Sequence, residues 1–158
     1  MARAREKGTT GAFRSAEKCY REALRLNKHH PRANHNLGSV LLLLGDRCGA
    51  EASFKRAIRA DADYADPHFG LAMLLKAQGH TKRHEAALRG CLRVQPKHGA
   101  AHGMLGLLLL GRGDKVGAED SLRTAALLDA NNANLRAQLG VLLHTKEPPD
   151  LDGAEVRW

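Results

Sequence analysis

The chain has 158 residues, with 25 Lys and Arg against 17 Asp and Glu, a net charge of +8 and 4% aromatics. That length is about one domain's worth of chain, and no apolar run approaches the ~20 residues a membrane span needs. Three cysteines, Cys19, Cys48 and Cys91, have no CxxC spacing and no even pairing, which argues against a disulfide framework. They are expected to be small apolar fillers near buried helix columns, in a reducing compartment. Met1 to Arg5 is basic, but no apolar stretch follows it, so a secretory signal is not expected and a cytoplasmic address is.

Residues 1–15 match the rest of the chain poorly; only Gly11 and Phe13 fall in its register. A helix is expected near 14–27, where Ala16, Tyr20, Ala23, Leu24 and Leu26 form an apolar set. From Pro31 the sequence repeats with a period of 34 residues, as 31–64, 65–98 and 99–132. Column seven is Leu37, Leu71, Leu105, and column eight is Gly38, Ala72, Gly106. Column fifteen is Gly45, Gly79, Gly113, and column twenty-four is Phe54, Leu88, Leu122. A fixed period of this length signals stacked repeats, which build extended surfaces rather than one central pocket. A partial copy, 16–30, precedes the three, and another, 133–158, follows them.

Within one copy, Leu37, Val40, Leu41 and Leu44 lie at i, i+3, i+4, i+7, one apolar face of a helix. Gly45-Asp46 interrupts it, with Gly suited to leave a helix in the left-handed conformation. Ala50, Phe54, Ala57 and Ile58 form a second amphipathic helix, with Lys55, Arg56 and Arg59 on its outer face. The columns therefore predict helix pairs near 31–44/47–60, 65–78/81–94 and 99–112/115–128, with a last helix near 133–146. Gly38, Ala72 and Gly106 are expected where the first helix of a pair approaches the second closely. His84 stands in the small-residue column of Ala50 and Ala118, so looser packing is expected in 65–98. Trp158 joins the Phe54 column, with Leu151 and Ala154 in register, if Pro148-Pro149 is a two-residue insertion. The last helix would then be cut short, and the chain would be a piece of a longer array whose uncapped ends could associate end to end.

Nine histidines raise a metal reading, with His80/His84 and His98/His102 each at i, i+4. No Cys or carboxylate completes either set, and His68 and His102 recur at one repeat column, so no metal site is expected. Gly111-Arg112-Gly113-Asp114-Lys115 lacks the preceding strand of a phosphate loop, and Gly113 is the turn glycine of column fifteen. No catalytic residue and no cofactor are expected. Charge is uneven: residues 1–30 hold eight Lys/Arg against three Asp/Glu, whereas 99–158 hold six against eight. Most of the basic residues are expected on the solvated outer faces of the second helices.

The Leu37-Gly38 step followed by Ala50, Phe54 and Ala57 resembles the tetratricopeptide repeat family, over roughly residues 12–158. The resemblance implies an all-α, right-handed superhelical solenoid of antiparallel helix pairs, A and B, with about four repeats and incomplete ends. It also implies a function in protein–protein interaction, with a peptide or protein segment held on the inner surface by helix A. That surface takes columns two, five, six, nine, twelve and thirteen. In the first copy these supply Arg32, His35, Asn36 and Ser39; in the second, Phe69, Met73 and Lys76. The third supplies Met104, Leu107 and Leu110, and the fourth Gln138 and Val141. From Phe69 onward the set is mainly apolar, as interaction sites often are.

The family's carboxylate clamp is not expected, because only Asn36 fits it and Asp66 and Gly70 stand where basic residues should. Column four, often Trp or Leu in the family, is Asn34, His68, His102 and Arg136 here. The opening Ala33-Asn34-His35-Asn36-Leu37-Gly38 is similar to repeats of O-GlcNAc transferase, which implies an alternative, the substrate-recruiting region of a larger glycosyltransferase. A nucleic-acid-binding helical repeat is suggested only by charge, and such repeats run 35 residues.

Overall fold

A computed structural model describes residues 2–129 and 131–144, with side chains from residue 10 onward. The expected register of Leu151, Ala154 and Trp158 lies outside the described residues. The described residues form eight α-helices and no strand: α1 (Ala2–Leu26), α2 (Pro31–Leu43), α3 (Arg47–Ala60), α4 (Ala65–Ala77), α5 (Thr81–Val94), α6 (Gly99–Gly111), α7 (Lys115–Leu128) and α8 (Ala133–His144). Three A/B pairs, α2/α3, α4/α5 and α6/α7, therefore lie where the columns put them. None of these helices is long and apolar enough to cross a membrane. The chain divides into two compact units, Met1–Lys97 and His98–Trp158.

The turn inside each pair is set by glycine. Gly45, Gly79 and Gly113 have φ of 86°, 74° and 81°, a region in which a Cβ is strained. Gly11 shares their column yet stays inside α1, which runs unbroken from Ala2 to Leu26. It is followed by Ala12-Phe13 rather than by the Asp that starts a B helix after Gly45 and Gly113.

That Asp is the N-cap. Asp46 Oδ1 accepts from Gly49 N at 2.8 Å, and Asp114 Oδ1 from Gly117 N at 2.9 Å. Such a cap contributes ~0.5–2 kcal/mol relative to Ala. The cap and the glycine three residues on form a unit, since a Cβ on Gly117 would stand 2.6 Å from Asp114 Oδ2. The middle copy lacks both, with His80 and Arg83 in those places and no side-chain cap. Arg83 instead reaches across to α3, 2.5 Å from Glu51 Oε1, which Lys55 also meets at 2.7 Å. Lys55 and Arg83 hold the Glu51 carboxyl below its usual range against the opposing effect of partial burial.

The A helices start on a different device. Pro31 opens α2, and His30 caps it, its Nδ1 accepting from Ala33 N at 3.2 Å. His98 caps α6 in the same way through Ala101 N, and Asn132 caps α8 through Leu135 N. Column four then ties the turn between repeats. Asn34, 1% exposed, donates from Nδ2 to the carbonyls of Lys28 and His30 at 3.1 and 3.0 Å. His68 makes the corresponding bond to the Ala62 carbonyl, one period later.

In the first unit the core is Leu37, Leu41, Ala50, Phe54 and Leu74, with Tyr20, Leu24, Leu42 and Leu71 packed on it. Column eight is a close helix contact as expected. A Cβ on Gly38 would stand 2.8 Å from the Phe54 ring and 3.2 Å from the Ala50 carbonyl oxygen. Copy 65–98 closes over His84, with Ala72, Leu74, Leu88 and Cys91 all fully buried. The imidazole is 4% exposed, and its Nδ1–H donates to the Ala72 carbonyl at 2.8 Å, filling the column with a bonded polar group. The cysteine expectation needs correction. Cys91 is buried, its thiol pushed up to about 11 mainly by desolvation, but Cys19 and Cys48 are exposed. They lie on the outward sides of α1 and α3, where helical amphipathicity leaves room for any small residue.

Burial holds the pKa of both His68 and His84 below the ordinary 6.5, despite the carbonyl bond each makes; Arg93 and Lys76 act in the same direction as burial. The unfolded chain takes up protons on these groups near pH 6.5 while the folded chain does not, so their contribution is full above 6.5 and is lost as pH falls. The urea midpoint is expected to drop between pH 7.5 and 5. The drop should shrink in His68→Asn/His84→Ala, which uses residues the other copies carry at those columns. An equal drop in parent and variant would assign the acid sensitivity elsewhere.

Candidate functional site

The expected binding face falls on α2 and α4 in the first unit and on α6 and α8 in the second. On α2, Arg32 is exposed, and His35, Asn36 and Ser39 are half-buried. Ser39 donates its hydroxyl to the His35 carbonyl at 3.2 Å, so that group is spent within the helix. The His35 ring packs between two aromatics, its centroid 5.8 Å from Phe54 and 5.4 Å from Tyr64. Burial lowers its pKa, with the Asp66 charge opposing.

Tyr64 was not expected at the site; Asp66 stands in column two of the second copy, the column of Arg32. The Tyr64 hydroxyl bonds to the Asp66 carboxylate; burial raises the phenol's pKa, the Asp66 charge adds to this, and nearby Arg32 opposes it. Arg32, His35, Tyr64 and Asp66 thus make a polar end to the α2/α4 face. The sequence held a signal for this: Tyr64 fills the cap column of His30 and His98 without capping, so its ring is free to turn inward.

On α4, Phe69 is half-buried, Met73 is 44% exposed and Lys76 is exposed. Gly70, in column six, is not part of an open surface. A Cβ there would stand 2.8 Å from Phe54 Cε1, so the ring slots against both Gly38 and Gly70. This pairing is legible in hindsight. The one copy with Phe in column twenty-four precedes the one copy with Gly in column six, whereas Leu88 precedes Met104.

In the second unit, Leu107 is 39% and Val141 60% exposed, Gln138 is exposed, and Met104 and Leu110 are half-buried. α6 and α8 approach closely at Gly103, where a Cβ would stand 2.8 Å from Leu135 Cδ2. His30 and His98 cap helices, His68 and His84 bond main-chain carbonyls, and His35 packs against Phe54 and Tyr64. Among the described residues no group of three or more His, Cys, Asp or Glu is placed to hold a metal ion.

The comparisons with known proteins agree on the fold. The chain superposes on a crystal structure of MamA with a TM-score of 0.76 at 18% identity, covering 88% of this chain and 81% of that one. For MamA from Desulfovibrio magneticus the TM-score is 0.72 at 20% identity, covering 84% and 75%. YrrB, a tetratricopeptide protein with an unusual peptide-binding site, gives 0.73 at 22% identity, covering 78% and 64%. No curated protein matches the chain in sequence. The tetratricopeptide repeat model matches residues 1–65 and 69–134, most of the sequence. The helix pairs, the turn glycines and this match together establish that the chain belongs to the tetratricopeptide repeat family.

Proposed function

We propose that the chain is a protein-interaction scaffold that takes a peptide or protein segment on the exposed face of its A helices. The observation that carries the reading is apolar exposure at A-helix columns: Met73, Leu107 and Val141 face solvent at 44%, 39% and 60%. A folded chain gains nothing from leaving these in water, and Met adapts to varied contacts. The peptide-binding site of YrrB, a protein of the same fold, supports a peptide as ligand. Binding is expected to be anchored by apolar side chains and to weaken only mildly with salt, unlike counterion-driven nucleic-acid binding.

The experiment selects a peptide ligand from a random library on the intact chain. It then titrates that ligand against Met73→Asp and Leu107→Asp, both checked for helicity. Burying one apolar anchor is worth ~1.5–3 kcal/mol, so each variant at a true contact should bind about tenfold more weakly or worse. Parent-like affinity in both would remove the A-helix face from consideration.

A further inference from the structure

A second surface lies on the first unit, away from the A-helix columns. Leu24 of α1, Lys28 and His29 of the following turn, and Arg56 and Arg59 of α3 line a cleft of about 600 Å³ over buried Asn34. That volume is in the usual range for a ligand site. No acidic side chain lines it. Several other exposed cations are paired with a carboxylate. Lys55 and Arg83 sit on Glu51, Arg89 on Glu85 and Arg123 on Glu119, and on α1 Arg21 sits on Glu17. Among the described residues Lys28, Arg56 and Arg59 have no carboxylate partner.

The repeat supplies its own control for whether the fold needs these charges. One period on, the columns of Leu24, Lys28, His29, Arg56 and Arg59 hold Ile58, Ala62, Asp63, Gly90 and Arg93. In the third copy Thr124 and Leu127 stand in the columns of Arg56 and Arg59. The helices form in every case, so packing does not require three convergent cations.

We propose that this cleft binds a short acidic peptide segment. Arg56 and Arg59 lie one helical turn apart, with Cβ atoms ~5–6 Å from each other. Two carboxylates at alternate positions of an extended segment match that spacing, and each guanidinium can take one in a two-pronged bond. Lys28 adds a third charge from the turn, and Leu24 gives an apolar floor for a side chain between the acids. Nucleic acid fits less well, because a backbone-tracking protein needs a continuous basic stripe, and on the same helices Arg21 and Lys55 are already paired with Glu17 and Glu51.

The test is a fluorescence-anisotropy titration of the whole chain with labelled Glu-Asp-Leu-Asp-Glu and its amide counterpart Gln-Asn-Leu-Asn-Gln. The acidic peptide is expected to bind at least tenfold more tightly. Arg56→Glu/Arg59→Glu should lose at least tenfold. Arg89→Glu/Arg123→Glu, the same change in net charge at paired positions, should keep the parent affinity. Met73→Asp should also keep it, which separates this cleft from the A-helix face. Equal binding of the two peptides would overturn the proposal. So would an equal loss in both charge-reversal variants, or tighter binding of a single-stranded oligonucleotide that Arg56→Glu/Arg59→Glu abolishes.

Discussion

Phe54→Ala is expected to destabilise the first unit by about 3–5 kcal/mol, the usual cost of emptying a fully buried aromatic site. The ring is 1% exposed and central to the core of Leu37, Leu41, Ala50 and Leu74. The cost should lie in the upper part of that range, because two of the surfaces facing the ring are Gly38 and Gly70. Neither has a side chain that can swing into the void. A coupling follows. In the parent, Gly70→Ala would put a Cβ 2.8 Å from Phe54 Cε1 and should be unfavourable. In a Phe54→Leu background the same change has room, and the helix gains from losing a glycine. Urea unfolding followed by circular dichroism, run as a four-variant cycle, measures both effects. A Phe54→Ala midpoint equal to the parent's would contradict the packing described.

Gly106→Leu is the second large effect. In α6 the added Cβ alone would stand 2.7 Å from Leu122 Cγ and 3.1 Å from the Leu122 backbone nitrogen. A side chain can rotate away, but the backbone of α7 cannot, so the pair must separate. Such overpacking typically costs ~1–3 kcal/mol, occasionally more. Gly111→Leu is the matched control, since Gly111 ends the same helix and a Cβ there meets nothing within 4 Å. It should leave the midpoint unchanged or raise it slightly. Equal midpoints for the two variants would show that column eight is not a tight contact.

Most of the fold was legible because its determinants are local and periodic. A glycine with positive φ at Gly45, Gly79 and Gly113 marks each turn, and the 34-residue spacing of Leu37, Leu71 and Leu105 locates each A helix. Where the sequence misled, the deciding contacts were not periodic. Gly11 sits in the turn column, yet α1 runs through it unbroken, with no positive φ there. His84 breaks a small-residue column, yet a bond to a main-chain carbonyl absorbs it. Gly70 looked like part of an open face until the Phe54 ring was seen against it. The candidate binding residues were locatable by column, since helix position fixes which way a side chain leaves the axis. What each does there was not, because Tyr64, from outside the expected columns, packs on His35 and bonds to Asp66 near Arg32.

The ties at column four bear on how such an array grows. Asn34 and His68 hold the turns between repeats by bonding to carbonyls of Lys28, His30 and Ala62. Those acceptors belong to the main chain, which every residue possesses. The turn's side chains can therefore diverge freely, as Lys28 and Ala62 have, while the tie persists. A copy inserted by tandem duplication finds its anchor waiting, whatever its neighbour's sequence. Lengthening then requires no matched change on the other side of the junction, and each new copy is left free to evolve its own exposed face.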